Sequence, residues 1–187
     1  DVHLTQKGTW RIASVADMLM GSYDLGGKTE RLPRGTTAAN LSERLPAGAT
    51  NVKTVEANNR NEIYVTVGEP TTTLFKPAGK GIEMVPVTHP NDLYAGETAT
   101  FRFLLDGKPA IGLAVTVIPG GIRYRDQLGQ MDLKTDGEGK VAVNWPEPGM
   151  YWLNVATAQE EGGDGGAPPS PAQRRASYIV TLEVMAP

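Results

Sequence analysis

Apolar residues in this chain recur mostly with a period of two, in short runs broken by turn residues. The alternation is clearest from Thr98 to Leu105, where Ala99, Phe101, Phe103 and Leu105 share one face and Thr98, Thr100 and Arg102 the other. That is the pattern of a half-buried strand. Leu113, Val115 and Val117 alternate in the same way, as do Val141, Val143 and Trp145. Turn sequences stand between the runs: Asp106-Gly107, Asp136-Gly137-Glu138-Gly139 and Pro146-Glu147-Pro148-Gly149. Adding Ile82–Val87, Met150–Ala156 and Ser177–Met185 gives about seven strands in roughly 105 residues, the spacing of an immunoglobulin-like β-sandwich. This unit is expected over residues 81–187, with the polar, Gly/Pro-rich stretch Thr157–Ala172 as a loop.

The first third reads as further short strands. Thr9–Val15 follows a Lys7-Gly8 turn, Leu19–Leu25 leads into Gly26-Gly27, and Lys28–Leu32 folds back as a hairpin partner. Thr36–Leu45 breaks the pattern, with Leu41 and Leu45 four apart and Pro46 behind them, and predicts one short helix. Strands resume at Asn51–Ala57 and Asn61–Val67, joined by a turn at Asn58-Asn59-Arg60. Residues 1–67 are therefore expected to form a partial N-terminal β-sandwich unit. The aperiodic, proline-bearing stretch 68–80 is the expected linker, and Leu74 and Phe75 imply that it packs against something. So few strands leave open edges and too little apolar surface to close a core. The first unit is expected to be completed by a preceding segment, a second copy or packing on its neighbour.

Composition agrees with an all-β class. At 187 residues the chain is long enough for two small sandwiches, and Gly 22 with Pro 14 favours tight turns over long helices. A net charge of -3 without a long basic run argues against a nucleic-acid partner. No apolar run approaches the ~20 residues of a membrane span. With no cysteine, disulfides, thiolate metal sites and cysteine nucleophiles are excluded. The chain opens at Asp1 on strand-like sequence, which reads as a processed or trimmed product.

Several phrases carry a family resemblance. They are Trp10-Arg11-Ile12-Ala13, LPRGTTAANLSERLPAGATNVK (32–53), EIYVTVGEPT (62–71), IEMVPVTHPNDLYAGETATFRFLLDGKP (82–109), GGIRYRDQ (120–127), KTDGEGKVAVNWPEPGMYWLNV (134–155) and RRASYIVTLEV (174–184). Together they resemble a bacterial family of exported proteins, a domain of unknown function grouped with periplasmic components of cobalt/nickel ABC-type uptake systems. The resemblance implies a periplasmic location in a Gram-negative bacterium, a removed signal peptide, further strands ahead of Asp1 and a binding or accessory role in uptake of a transition metal or metal complex. Membrane transporter or receptor components would then be partners.

Cobalt and nickel favour imidazole backed by carboxylates. Only His3 and His89 are present, and His89 with Asp92 and Glu97 is the one candidate corner. The competing reading makes His89-Pro90-Asn91-Asp92 a plain turn, capped by Asp92. Asp136–Gly139 lacks the further ligands of a calcium loop and reads as a hairpin turn; Glu160, Glu161 and Asp164 are acidic but dispersed. Arg123, Tyr124 and Arg125, with Arg174, Arg175 and Tyr178, would suit a carboxylate or phosphate if the fold gathers them. Otherwise they are exposed strand residues whose stems cover apolar surface. Trp145, Tyr151 and Trp152 raise a sugar platform, but Trp145 shares a face with Val141 and Val143 and belongs in a core. No nucleophile elbow, P-loop or zincin motif appears, so no enzyme activity is expected. Three functions follow: the periplasmic metal-uptake component, a structural or adhesion-type module that pairs (or self-associates) through the open strand edge of the first unit, and a binder of a small anionic or sugar ligand.

Overall fold

A computed structural model of the protein describes residues 3–157 and 174–187. The described chain is mostly strand. β1 (Gly8–Leu25) turns through Gly26-Gly27 into β2 (Lys28–Arg31), antiparallel, with Leu25 opposite Lys28 and Ser22 opposite Arg31. Both turn glycines have positive φ (57° and 79°), the backbone that a right-twisted two-residue hairpin needs. The expected hairpin is therefore present.

The expected helix shrinks to one turn, α1 (Leu41–Arg44). Ahead of it, Thr36 Oγ1 donates to the Pro33 carbonyl at 2.7 Å and the Thr37 N–H donates to Asn40 Oδ1 at 2.7 Å. These local side-chain bonds hold the backbone in turns where a helix would need its N–H groups.

β3 (Thr50–Val67) follows, and here the structure departs from the expected strand breaks. Thr9–Val15 and Leu19–Leu25 are parts of one strand, β1, and Asn51–Ala57 and Asn61–Val67 are parts of β3. Asn58 makes no turn. Its side chain is buried, with Nδ2 donating to Asp17 Oδ1 at 2.5 Å and Oδ1 accepting from Arg174 Nε at 3.0 Å. An asparagine whose amide is engaged by other side chains is not free to cap its own backbone. At this point the buried parity of β3 changes, from Val55 and Ala57 to Asn58, Glu62 and Tyr64. Side-chain bonds Thr9–Thr66, Asp17–Asn58 and Asn51–Asp24 progress in opposite directions along the two strands, which makes β1 and β3 antiparallel.

The remaining strands are β4 (Ile82–Pro86), β5 (Thr98–Leu105), β6 (Lys108–Pro109), β7 (Ala114–Pro119), β8 (Met131–Lys134), β9 (Lys140–Asn144), β10 (Gly149–Ala156) and β11 (Arg175–Val184). The chain forms two compact units. Of the described residues, the larger comprises 3–14, 60–156 and 177–187, and the smaller 15–59, 157 and 174–176. The expected linker thus falls inside the larger unit. Its 3-10 turn Thr73–Phe75 buries Phe75, and the buried Glu83 carboxylate accepts the N–H groups of Ala78 and Gly79 at 2.8 and 2.7 Å.

In the larger unit, β1, β3, β11, β10, β7 and β8 lie side by side in that order, and a second sheet contains β4, β5 and β9, with β6 also beside β5. This is a sandwich-like arrangement. Every inward position that the sequence marked on β5, β7 and β9 is deeply buried, except Leu105 at the end of β5: Ala99, Phe101, Phe103, Val115, Val117, Val141 and Val143. Trp145 is buried as expected, 4.9 Å from Tyr151 and 6.5 Å from Phe101 between ring centroids. Trp145 and Tyr151 are thus core residues and build no sugar platform. Asp136–Gly139 is the expected turn: Asp136 Oδ1 accepts the N–H groups of Glu138 and Lys140, both at 2.8 Å, which holds its carboxyl below the usual carboxylate range.

In the smaller unit the described strands come from a single sheet, ordered β2, β1, β3. Gly21 has a required role there, since a Cβ on it would lie 1.9 Å from the Lys53 carbonyl oxygen.

Candidate functional site

Two features stand apart from ordinary core: a buried charge on β3 and, among the described residues, an uncovered stretch of strand edge on β1. On β3, Arg60, Glu62, Tyr64 and Thr66 share a face by the two-residue period. Glu62 is 4% exposed. Its Oε2 accepts from the hydroxyls of Tyr64 (2.5 Å) and Tyr178 of β11 (2.8 Å), and its Oε1 accepts from Arg60 Nη1 (2.9 Å) with Arg11 Nε at 3.7 Å. Burial first, then the negative charge of Glu62, raises the Tyr64 phenol well above its ordinary range. Burial also raises Tyr178, followed by its coupling to Tyr64 and Glu62. Both phenols therefore stay protonated and act as donors. Tyr178 also packs edge-on against Phe103 at 5.7 Å. The cluster is fully satisfied: each carboxylate oxygen has its donors and the charge has a guanidinium partner, so it locks β3, β11 and β1 rather than offering a reactive group.

The outer edge of β1 is covered only in part. Thr9 and Thr71 exchange two bonds, Thr9 N–H to Thr71 Oγ1 at 3.0 Å and Thr71 N–H to Thr9 Oγ1 at 2.9 Å. Further along, the Leu19 N–H reaches the Thr36 carbonyl, the Gly21 carbonyl accepts from Leu32, and β2 pairs from Ser22 onward. Odd-numbered residues of β1 therefore turn their backbone groups to this edge. Between the two covered stretches Arg11, Ala13 and Val15 do so with no backbone partner on that side among the described residues. Ala13, Ser14 and Val15 are exposed, Val15 at 52%.

The Thr71 cover is itself anchored. His89 Nε2 lies 3.2 Å from the Thr71 carbonyl and 3.1 Å from Thr9 Oγ1, and His89 Nδ1 accepts the Asn91 N–H at 3.1 Å. Asn91 binds β3 through Thr66 Oγ1 (2.9 Å) and the Tyr64 carbonyl (3.0 Å), and Phe75 sits edge-on to the imidazole at 5.5 Å. A groove of about 350 Å³ beside this cover is lined by residues including Lys7, Trp10, Arg11 and Thr71.

Residues 1–159 match the model of a domain of unknown function, DUF4198. The chain belongs to the DUF4198 family. No curated protein and no solved structure matches it.

Asp92 and Glu97 are exposed, and both nitrogens of His89 are engaged by protein groups. The turn cap is this imidazole, not the expected Asp92 carboxylate; Asp92 contributes its N–H, to the His89 carbonyl at 3.0 Å. Among the described residues no group of three or more His, Asp or Glu could hold a metal ion, so this set does not fit nickel or cobalt. Arg123 and Tyr124 lie on an exposed 3-10 turn, Ile122–Tyr124, with Tyr124 86% exposed. The Arg125 guanidinium binds the carbonyls of Pro119 and Gly120. Arg174 binds Asn58 Oδ1, Arg175 opens β11 half-buried, and Tyr178 is wholly buried. Register sets Tyr178 level with Val155 and Val115, and Leu182 level with Tyr151 and Pro119. Tyr178 is therefore four residues, about 13 Å, along the sheet from the end that carries Arg123–Arg125. Buried, and at that distance, it does not join Arg123–Arg125 in an anion site. Glu160, Glu161 and Asp164 lie outside the described residues.

Sequence reasoning passed over Glu62 and Tyr64. The available signal was a lone acid at an inward position, two residues from Arg60 and from Tyr64.

Proposed function

We propose that this DUF4198 protein is an exported interaction module that takes an extended segment of another polypeptide onto the outer edge of β1, and that it acts by binding rather than catalysis. The observation that carries the reading is the bare stretch Arg11–Val15 between two covered stretches of the same edge. An unpaired edge is a template for strand addition unless charge, proline or a bulge protects it. The edge strand β2 reads Lys-Thr-Glu-Arg and is exposed throughout, and β8 carries Asp132 and Lys134. Ile12-Ala13-Ser14-Val15-Ala16 has no such protection. Main-chain bonds would supply affinity, and the alternation of Ile12 and Val15 to opposite faces would select the side chains of the incoming strand.

The periplasm and a link to cobalt/nickel uptake are what the sequence resemblance implies. A strand-pairing module suits that setting as a docking element between components, since His89 is committed to the fold rather than to an ion. The test uses isotope-labelled protein and a synthetic peptide of residues 6–18, which stands in for β1 of a second copy. New amide protection at Arg11, Ala13 and Val15 is expected on binding. Ala13→Pro should abolish it and leave the fold intact, because the outward N–H it removes makes no ladder bond. Binding that protects other amides, or that survives Ala13→Pro, sinks the proposal.

A further inference from the structure

We infer that His89 is an acid-sensitive latch on the segment covering the Thr9 end of β1. The tautomer follows from the partners. The Asn91 N–H can only donate, so His89 Nδ1 is the acceptor, and the proton of the neutral ring sits on Nε2 facing the Thr71 carbonyl. The imidazole thus takes the place of an Asx side chain: residue 89 caps the N–H two residues on, while its far nitrogen holds Thr71 down against Thr9.

A second proton has only Nδ1 to occupy. There it would meet the Asn91 N–H donor head-on, so the imidazolium cannot keep this geometry. Either the ring rotates away or the His89–Asn91 turn opens. Rotation takes the donor from Thr71 outright, and opening of the turn removes the bond that fixes the ring against Thr71; either way the reciprocal Thr9–Thr71 pair loses support.

Among the described residues the hydrogen-bond and ring partners of the His89 imidazole are all uncharged: Thr9, Thr71, Asn91 and Phe75. Titratable groups on the surrounding elements are Tyr64 on β3, held protonated; Lys7 ahead of β1; Glu69 and Lys76 on either side of the Thr71–Phe75 segment; Glu183 of β11, which lines a groove with Asn91; and Asp92 in the same turn. None of them hydrogen-bonds to the ring, so no carboxylate rewards its protonation in place.

Release of Thr71 would lengthen the bare edge of β1 toward Gly8. This consequence for pairing rests on the function proposed above; the latch itself does not. The experiment follows amide exchange at Thr9, Thr71 and Asn91 at about pH 7.5 and about pH 5, corrected for intrinsic exchange, in the range where imidazole titrates. Wild type should open at least tenfold more readily at the lower pH. His89→Asn, whose Oδ1 can accept the Asn91 N–H without titrating, should show no such change. Equal protection at both pH values, or an acid response that persists in His89→Asn, overturns the latch. Nitrogen shifts of the wild-type ring give a check that needs no variant: a proton on Nδ1 at about pH 7.5 also overturns it. The residue 6–18 peptide separates the two ideas. Opening without tighter peptide binding at low pH leaves the latch and removes the pairing role, whereas peptide binding indifferent to pH with no opening leaves the pairing role and removes the latch.

Discussion

Replacing Glu62 by Ala and Tyr178 by Phe, singly and together, measures the buried charge cluster directly. Tyr178→Phe keeps the ring that packs on Phe103 at 5.7 Å and removes one hydroxyl, the donor 2.8 Å from Glu62. A hydrogen bond to a buried carboxylate contributes about 1.5–3 kcal/mol, so a loss near 2 kcal/mol is expected. Glu62→Ala strands more. It leaves the Tyr64 and Tyr178 hydroxyls without their acceptor and leaves Arg60, whose side chain is 15% exposed, without its carboxylate at 2.9 Å. Breaking a buried pair from one side costs about 3–5 kcal/mol. In the Glu62→Ala background the Tyr178 hydroxyl keeps only the Tyr64 hydroxyl, at 3.3 Å, as a partner, so removing it should cost little further. The double variant should therefore be about as stable as Glu62→Ala alone, with a coupling energy of about 2 kcal/mol. Urea denaturation of the four proteins, compared at constant slope, gives the cycle. Losses that add to within about 0.5 kcal/mol would refute the view that Glu62 and Tyr178 act as one unit.

The same cluster sets an alkaline limit. Both phenols are raised above the ordinary tyrosine value of 10.0, so above about pH 10 the unfolded chain loses protons that the folded chain retains, and stability falls as pH rises. The slope is up to about 1.4 kcal/mol per pH unit for each tyrosine, and Tyr178→Phe should flatten it in a pH series of thermal melts. Gly139→Ala should destabilise by more than about 2 kcal/mol, since its Cβ would stand 2.5 Å from the Phe103 carbonyl oxygen at a backbone φ of +76°. Gly137→Ala, two residues away with open space around it, should stay within about 0.5 kcal/mol of wild type in the same denaturation assay.

Much of the sandwich is legible in the sequence. Phe101, Phe103, Val115, Val117, Val141 and Val143 announce their burial by strict alternation, and Asp106-Gly107 announces its turn, where both residues have positive φ (53° and 77°). The Asn58-Asn59-Arg60 stretch misled, because asparagine favours turns only while its amide is free for its own backbone. Here Asp17 and Arg174 claim it, and those partners lie 41 and 116 residues away. The Thr36–Leu45 stretch misled for the converse reason: Thr and Asn side chains took local bonds that a helix cannot use.

The candidate site was the least legible part. In the sequence His89 stands near Asp92 and Glu97, yet what fixes its role is Thr9 and Thr71 from other elements. Arg123 and Tyr178 look alike on a list of binding residue types, but one lies on an exposed turn and the other is wholly buried. Sequence alone determined the period-two pattern, the tight turns and hence the all-β class, because these depend on neighbours a few residues apart. Only the tertiary structure decided that Glu62 is a buried, fully partnered charge and that Arg11–Val15 has no backbone partner on its outer side among the described residues. Both depend on which distant strand lies alongside, and the pattern of apolar and polar residues within a strand does not encode that.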